Sequence, residues 1–309
     1  MEADGVVAAR ASTVRLPSEP GVYRFRDARG RVLYIGRAGH LRRRVGSYWG
    51  DLGDRRHLAR MVPRIARVEA LACDSEHEAA WVERNLLERH LPYWNRTAGG
   101  QEVPVYIRLD PRPRTPRLDV VHVAEPSANV IHFGPYLGGL RVRLAVSALQ
   151  RVHPLAYAAD GATGSVRDMA RARGVEPGQR EDMVAAIAGV LRREPDAVAA
   201  LRDGLERRRD EAGAALAFEL AGRLQAELEA VGWVCAAQRA TLHDPCDLDI
   251  YGWSAGLLIR LTVRGGRLCE WSQRACGEAA ARPRLRETPG DWAEFARRNA
   301  ELAARLARP

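Results

Sequence analysis

Two short β-type runs joined by a tight connection constrain the fold of this chain more than any other feature. Residues 21–26 read GVYRFR, residues 31–36 read RVLYIG, and four residues lie between them. Aromatic and β-branched residues are typical of strands, and a short connection that contains glycine is typical of a hairpin. The sequence therefore predicts an antiparallel β-hairpin near the N-terminus.

The hairpin places two tyrosines near each other. If Arg26 faces Arg31 across the hairpin, Tyr23 lies directly opposite Tyr34 on one face of the sheet. Aromatic cross-strand pairs commonly stabilise sheets, so the pair by itself does not indicate a function. Two phenols at one place can also form a reactive site, and both interpretations stay open at this point.

An arginine-rich helix is predicted directly after the hairpin. Leu41, Val45 and Tyr48 are spaced by four and three residues, which places them on one face of a helix. Four arginines precede this helix or lie on it, namely Arg37, Arg42, Arg43 and Arg44. Guanidinium groups match phosphate geometry and stabilise charge that develops on a phosphate. A solvated helix face is the alternative, and we expect it for at least one of the last three.

A second predicted helix carries a carboxylate in an unusual position. Ser75 and Glu78 form a capping box, so a helix is predicted to begin directly after Ser75. On this helix Glu83 shares a row with Ala79 and Leu87 and therefore faces the apolar side. An inward carboxylate needs a partner. Either an arginine in a structural ion pair or a hard cation such as Mg²⁺ meets that need.

The net charge of the chain is concentrated in its N-terminal half. The formal charge is +9, all 48 Lys+Arg residues are arginine, and residues 1–143 hold 24 arginines against 16 acids. A basic half that presents guanidinium groups favours a nucleic acid as the partner. On charge alone, a solvated basic surface is nearly as good an explanation.

Other broad classes of protein are disfavoured. No run approaches the roughly 18 consecutive apolar residues of a membrane span, and residues 1–4 lack the regions of an export signal. The five cysteines form no C-x-x-C pair, so neither a disulfide framework nor a standard zinc site is expected. We therefore expect a cytoplasmic protein with reduced thiols.

Proline and glycine divide the chain into four expected segments. Residues 110–117 contain three prolines, so they are expected to form a connection after a first compact unit. The segments are a first domain at 15–109, a connecting region at 110–180, a helical region at 181–240 and a C-terminal part at 241–309. In the last segment, alternation over 248–272 around a diglycine turn predicts strands, and 291–308 predicts a helix.

Taken in order, these motifs resemble the GIY-YIG nucleases, and within that family the nuclease domains of the UvrC and Cho type. The resemblance rests on five segments, at 16–23, 32–37, 41–48, 75–83 and 91–95. It implies an α+β fold in which a three-stranded antiparallel sheet is flanked by helices, followed by a mainly helical region and a small β-containing C-terminal part. It also implies an endonuclease that hydrolyses phosphodiester bonds in DNA.

Position by position, the resemblance assigns roles to seven residues: Tyr23, Tyr34, Arg37, Arg44, Tyr48, Glu83 and Asn95. Tyr23 and Tyr34 would lie at the reacting centre, and Glu83 would be the sole carboxylate ligand of Mg²⁺ or Mn²⁺. Arg44 and Tyr48 would lie on the phosphate side, Asn95 would support the site, and DNA would contact Arg37, Arg42, Arg43 and Arg44. A tyrosine that accepts a proton needs nearby cations to lower its pKa from about 10, so we expect Arg37, Arg44 and the metal together to favour the phenolate. Which of Tyr23 and Tyr34 accepts the proton stays open.

Weaker similarity continues beyond the first segment. Residues 133–136 resemble the stretch after the nuclease domain in this family, and 205–231 resemble the helical UVR motif that docks on the helicase UvrB. Leucines at every fourth position in that motif are equally explained as an internal packing face. Because the sequence does not extend to an RNase H-like catalytic core, the resemblance implies a single incision, 3′ to a lesion, in nucleotide excision repair. The alternatives are a non-catalytic DNA- and UvrB-binding adaptor, or a GIY-YIG nuclease that acts outside excision repair.

Overall fold

The computed structural model describes residues 2–97, 102–125, 127–161, 163–176, 178–242 and 245–308. The α-helices are α1 Glu2–Ser12, α2 Leu41–Gly46, α3 Glu76–Arg89, α4 Gly139–Val152, α5 Ser165–Ala172, α6 Arg180–Leu191, α7 Pro195–Ala214, α8 Phe218–Cys235, α9 Glu278–Glu287 and α10 Gly290–Ala307. The strands are β1 Gly21–Arg26, β2 Val32–Ala38, β3 Arg67–Ala72, β4 Val105–Asp110, β5 Arg117–Val121, β6 Ile131–Tyr136, β7 Leu248–Ser254, β8 Leu257–Arg264 and β9 Arg267–Ala275. These elements form two compact units, one of residues 1–101 and 237–309 and the other of residues 102–236.

The first sheet of the first unit is antiparallel and has the strand order β2-β1-β3. The predicted hairpin is confirmed as β1 and β2, but its register differs from the predicted one. A bulge between Phe25 and Arg26 shifts the pairing, so Tyr23 faces Gly36 and Phe25 faces Tyr34. The expectation that Tyr23 lies directly opposite Tyr34 is therefore wrong, because a bulge adds one residue to one strand. The two tyrosines are diagonal neighbours on one face.

Gly36 leaves the space that the ring of Tyr23 fills. A Cβ atom at Gly36 would lie 2.5 Å from the hydroxyl oxygen of Tyr23 and 2.8 Å from Cε1 of Tyr34. Both distances are far shorter than a van der Waals contact. Glycine at this position thus allows both tyrosine rings to lie against β2.

An asparagine side chain covers each edge strand of this sheet. Asn95 accepts a hydrogen bond from the Ile35 N–H of β2 at 2.9 Å and donates one to the Ile35 carbonyl at 2.8 Å. Asn299 of α10 makes the same two bonds to Ala72 of β3, at 2.7 and 3.1 Å. Each amide replaces the hydrogen bonds of a missing neighbour strand at one residue, so the backbone groups of Ile35 and Ala72 are satisfied and the edge is interrupted there.

The C-terminal part of the first unit forms an antiparallel sheet with the order β7-β8-β9 and packs with α10. Gly252 allows close packing of α10 on β7, because a Cβ atom there would lie 2.1 Å from the Ala296 carbonyl oxygen. Leu302 and Leu306 of α10 join the hydrophobic core that contains Tyr23. The C-terminal residues therefore complete the core beneath the tyrosines.

A buried ion cluster lies on the face of the first sheet opposite the tyrosines. The fully buried carboxylate of Glu69 pairs with Arg24, its partner across β1 and β3, and Oε2 lies 2.8 Å from Nε of Arg26. Gln273 of β9 donates a hydrogen bond to Oε1 of Glu69 at 2.7 Å. The guanidinium carbon of Arg24 lies 3.9 Å from the ring centroid of Trp271, also in β9. The cluster thus joins β1 and β3 to β9.

The second unit has its own three-stranded sheet, with the order β5-β4-β6. Residues 110–117, expected to connect two domains, form the loop of the β4–β5 hairpin, in which Asp110 pairs with Arg117. Proline suits such a loop as well as a linker, because neither requires a ladder hydrogen bond. The expected boundary at residue 109 therefore differs from the structure, and the region 110–180 carries strands and helices.

The helices of the second unit pack on its sheet around one core, and the helical region predicted at 181–240 forms α6, α7 and α8. Of the leucines spaced by four, Leu224 and Leu228 are buried in this core. Leu216 and Leu220 are 72% and 43% exposed, and Phe218 is 70% exposed. The packing interpretation therefore holds for Leu224 and Leu228. The exposed residues Leu216, Phe218 and Leu220 form an apolar patch at the tip of the α7–α8 hairpin.

The predictions for the C-terminal part are confirmed. The strands expected over 248–272 are β7, β8 and β9, and the helix expected over 291–308 is α10. Gly265 and Gly266 have φ values of +55° and +75° in the two-residue turn that joins β8 and β9. Within the described part of the chain, no helix combines the length and apolar character that crossing a membrane requires.

Candidate active site

Three tyrosines form a cluster on one face of the β1–β2 hairpin. The ring centroids of Tyr23, Tyr34 and Tyr48 lie 5.9 to 6.3 Å apart, and the hydroxyls of Tyr23 and Tyr48 are hydrogen-bonded at 2.8 Å. Tyr48 follows α2, and Leu41 and Val45 of that helix are buried with it, as the spacing predicted. The helix after the hairpin thus adds a third phenol to the two that the hairpin supplies.

Burial governs the protonation of these phenols. Burial, followed by the neighbouring Tyr48, raises the pKa of Tyr23 well above its ordinary value, and Arg44 lowers it by less. Burial and Tyr48 also raise the pKa of Tyr34. The arginines by themselves therefore do not favour the phenolate, because desolvation outweighs the attraction to the guanidinium. Both phenols are neutral at pH 7.

Two guanidinium groups lie against the ring of Tyr48. The guanidinium carbon of Arg44 is 5.9 Å and that of Arg55 is 4.5 Å from the ring centroid. Burial lowers the pKa of Arg44, but Tyr23, Tyr48 and Tyr34 together raise it by more, so the net pKa lies above the ordinary value. Arg55 donates a hydrogen bond to the Ser47 hydroxyl at 2.9 Å. Sequence reasoning missed Arg55, because it lies in an irregular turn with no hydrophobic periodicity.

Glu83 is held against β2 by Arg37. Its Oε1 accepts a hydrogen bond from the Arg37 backbone N–H at 3.1 Å, and its Oε2 lies 3.3 Å from Nε of Arg37. The arginine partner, one of the two alternatives drawn from the sequence, is therefore present. The Glu83 side chain retains 20% exposure. Among the described residues, no group of three or more His, Cys, Asp or Glu could hold a metal ion.

Two side chains position the site without reaching its centre. Asn95 holds the backbone of Ile35, which follows Tyr34 in β2. The predicted capping box of α3 is confirmed, since the Ser75 hydroxyl accepts a hydrogen bond from the Glu78 N–H at 3.0 Å. These contacts fix β2 and the start of α3, and therefore the two elements that carry Tyr34 and Glu83.

The structure brings most of the predicted site residues together. Glu83 accepts the hydrogen bond of the Arg37 N–H, three residues after Tyr34 in β2, and its charge contributes to the raised pKa of Tyr34. The residues that meet at this end of the hairpin are Tyr23, Tyr34, Arg37, Arg44, Tyr48 and Glu83, and Asn95 lies directly behind them. Arg42 and Arg43 are exposed on α2, where Nε of Arg42 donates to the Leu16 carbonyl at 2.7 Å.

Comparison with known proteins identifies relatives along much of the chain. The family described as the UvrC-like GIY-YIG domain matches residues 19–96. UvrABC system protein C from Anaeromyxobacter sp. (strain Fw109-5) is 32% identical and covers 84% of this chain and 38% of that protein. The protein of the same name from Natronomonas pharaonis is 31% identical and covers 96% of this chain and 49% of that protein. The chain thus spans half or less of the length of these relatives.

A crystal structure is also similar to the first part of the chain. It is the GIY-YIG N-terminal endonuclease domain of UvrC from Thermotoga maritima, bound to its catalytic divalent cation, magnesium; it is 31% identical and covers 28% of this chain and 96% of that chain, with a TM-score of 0.26. The family match extends from before β1 to Asn95 and so includes every residue of the tyrosine cluster and Glu83. Through residues 19–96 the chain therefore belongs to the UvrC-like GIY-YIG family of endonuclease domains.

Proposed function

We propose that this protein is a divalent-metal-dependent DNA endonuclease of nucleotide excision repair that makes a single incision, 3′ to the lesion. The convergence of the hydrogen-bonded phenols Tyr23 and Tyr48, the guanidinium of Arg44 and the carboxylate of Glu83 supports this function. Hydrolysis of a phosphodiester needs an oriented water, cationic groups for the non-bridging oxygens and a carboxylate for a metal. The site contains residues for each of these tasks.

The exposure of each tyrosine decides which phenol can contact the attacking water. Tyr23 and Tyr48 are 0% and 1% exposed, whereas Tyr34 is only partly buried. Tyr34 is therefore the phenol that an attacking water can reach, and we assign it the orientation of that water by a hydrogen bond. It would accept the proton of the water only as the phenolate, after losing its own proton to solvent, and a cation on Glu83 would favour that form. Arg44 and Arg55 would donate charge-assisted hydrogen bonds to the non-bridging phosphate oxygens.

Glu83 would hold Mg²⁺ or Mn²⁺. Mg²⁺ usually binds one or two carboxylates and completes its coordination with water and substrate oxygens. A single carboxylate with 20% exposure fits that requirement. When bound, the cation would neutralise charge on the phosphate and the leaving oxygen. Arg37 would hold the carboxylate in place, and Arg42 and Arg43, exposed on α2, would contact the flanking DNA backbone.

The target and the partner follow from the relatives, which are C proteins of the UvrABC system. We propose that this chain acts on damaged double-stranded DNA and docks on UvrB through residues 205–231. The apolar patch at the tip of the α7–α8 hairpin supports the docking site, because exposed apolar patches mark interaction surfaces. Leu216 in this patch has a φ of +58°, a conformation that leucine rarely adopts.

The function is tested on a duplex with one bulky lesion and a label on each strand. In Mg²⁺ and with the damage-loading proteins present, we expect one nick 3′ to the lesion that EDTA abolishes. Omission of the loading proteins should remove it. The absence of a nick in both Mg²⁺ and Mn²⁺ would favour a non-catalytic adaptor. Cutting of undamaged DNA without the loading proteins would favour a nuclease outside excision repair.

The docking site predicts a loss of UvrB binding on substitution of Phe218. Phe218→Ser should weaken binding by about 30-fold, since an apolar anchor at the centre of an interface contributes about 2 kcal/mol. Fluorescence anisotropy with labelled UvrB measures the dissociation constant. Leu140→Ser is the matched control, because Leu140 is 71% exposed on α4 of the same unit. Equal affinity of the two variants would exclude this patch as the docking site.

A further inference from the structure

A basic cavity lies at the turn end of the β1–β2 hairpin. We call it the arginine cavity, and its volume is ≈ 490 Å³. It is lined by four arginines, together with Asp27 and Leu33, and the arginines are Arg29, Arg31, Arg60 and Arg64. These residues come from the turn after β1 and from the segment before β3, which the hairpin brings together.

The positive charge of the arginine cavity is largely uncompensated. The Asp27 carboxylate accepts hydrogen bonds from the N–H groups of Arg29 and Arg31, at 3.0 and 2.9 Å, and from Nε of Arg31 at 2.8 Å. Arg29, Arg60 and Arg64 are exposed, and none of them forms an ion pair with any other residue that the structure describes. Three guanidinium groups therefore remain available to an anionic ligand.

The backbone around the cavity is held in a defined conformation. The Asp27 N–H donates to the Arg31 carbonyl at 3.0 Å, and NH1 of Arg26 donates to the Gly30 carbonyl at 2.5 Å. On the other side, the short helical turn Val62–Arg64 contains a proline. A concave basic surface on a fixed backbone binds an anion at a lower entropic cost than mobile side chains do.

The distance between the arginine cavity and the predicted active site fits a DNA duplex as the anionic ligand. Arg31 directly precedes β2 and Arg37 lies near its end, six residues on. An extended segment of that length spans about 20 Å, which matches about six base pairs of a duplex. Guanidinium groups bind phosphate oxygens in a bidentate manner. Resting on the proposed function, we propose that the arginine cavity binds backbone phosphates of the DNA duplex within about six base pairs of the cleaved bond. The protein then holds its substrate at two points.

The test compares two double variants of the full chain. Arg60→Gln with Arg64→Gln removes two cavity cations, and Arg274→Gln with Arg286→Gln removes two exposed cations of the same unit that form no ion pair with other described residues. Anisotropy of a labelled duplex is measured from 0.05 to about 0.3 M salt. The cavity variant should bind at least about tenfold more weakly at about 0.1 M salt, and its log–log salt slope should fall by about 1.8, whereas the control should change little.

Each other outcome overturns the inference. Equal weakening in both double variants would mean that only net charge matters, and an unchanged salt slope would mean that the cavity contacts no phosphate of DNA. Inorganic phosphate binding that the cavity variant loses, with duplex affinity intact, would assign the cavity to a free anion. The anisotropy measurement does not depend on incision. If the proposed function is wrong, the protein still binds the duplex but leaves no nick in it.

Discussion

Glu83→Gln is expected to reduce the rate of incision by about 10³-fold and to leave DNA affinity within about twofold. The amide keeps the size of the side chain but loses the charge that a hard cation requires. Loss of the metal removes about 4 kcal/mol of transition-state stabilisation, which corresponds to that factor. The arginines that would contact phosphates are unchanged, so binding should persist. Single-turnover incision in Mg²⁺, with duplex binding measured by anisotropy, separates the two effects.

Glu88→Gln is the matched control, because Glu88 lies on the same helix and pairs with Arg84 and Arg267 near the surface. Its incision rate should stay within about twofold of the wild type. Titration of Mn²⁺ binding tests the ligand role directly, and equal affinity of wild type and Glu83→Gln would exclude Glu83 as a ligand. Arg37→Ala addresses the ion-pair alternative. If Glu83 only pairs with Arg37, both variants should lose similar free energies of unfolding and similar activity.

Local features of this fold were predictable because interactions between residues close together in the sequence determine them. The hairpin follows from strand-forming residues around a turn, and the start of α3 follows from the reciprocal hydrogen bonds of Ser75 and Glu78. The buried face of α2 follows from the spacing of Leu41 and Val45. At the site, the inward position of Glu83 follows from its row on α3, and an arginine was one of the two partners that the sequence left open. The roles of the seven site residues rest on the family resemblance and not on such local interactions.

Features that depend on distant parts of the chain were not predictable. Asn299 hydrogen-bonds the edge of β3, and it lies in a helix that begins more than 200 residues later in the chain. No periodicity in the sequence marks such a contact. The bulge near Phe25 depends on how the turn closes, which changed the pairing of Tyr23. The raised pKa of Tyr34 depends on burial in the finished core, whereas the sequence shows only the arginines nearby.

Glu69→Gln is expected to lower the free energy of unfolding by about 3–5 kcal/mol. The carboxylate is fully buried, and its loss leaves the buried guanidinium of Arg24 without its counter-ion. Burial lowers the pKa of Arg24 to about 10, so this group stays charged at pH 7. Urea unfolding measures the change. Glu294→Gln removes an exposed ion pair with Arg297 and should leave the stability almost unchanged, because solvent screens such a pair.

The same carboxylate predicts how stability depends on pH. Burial raises the pKa of Glu69, but Arg24 and Arg26 lower it by more, so the net value lies below the ordinary one. The folded state therefore binds fewer protons than the unfolded state, and the stabilisation is complete above the unfolded pKa of about 4.3 and is lost as the pH falls through the folded pKa. Below about pH 5, the free energy of unfolding should decline more steeply for wild type than for Glu69→Gln. Other carboxylates titrate equally in both proteins, so their contributions cancel in the difference. Parallel pH profiles would mean that Glu69 titrates alike in the folded and unfolded states, and the buried cluster would then join β1 and β3 to β9 without contributing charge-dependent stability.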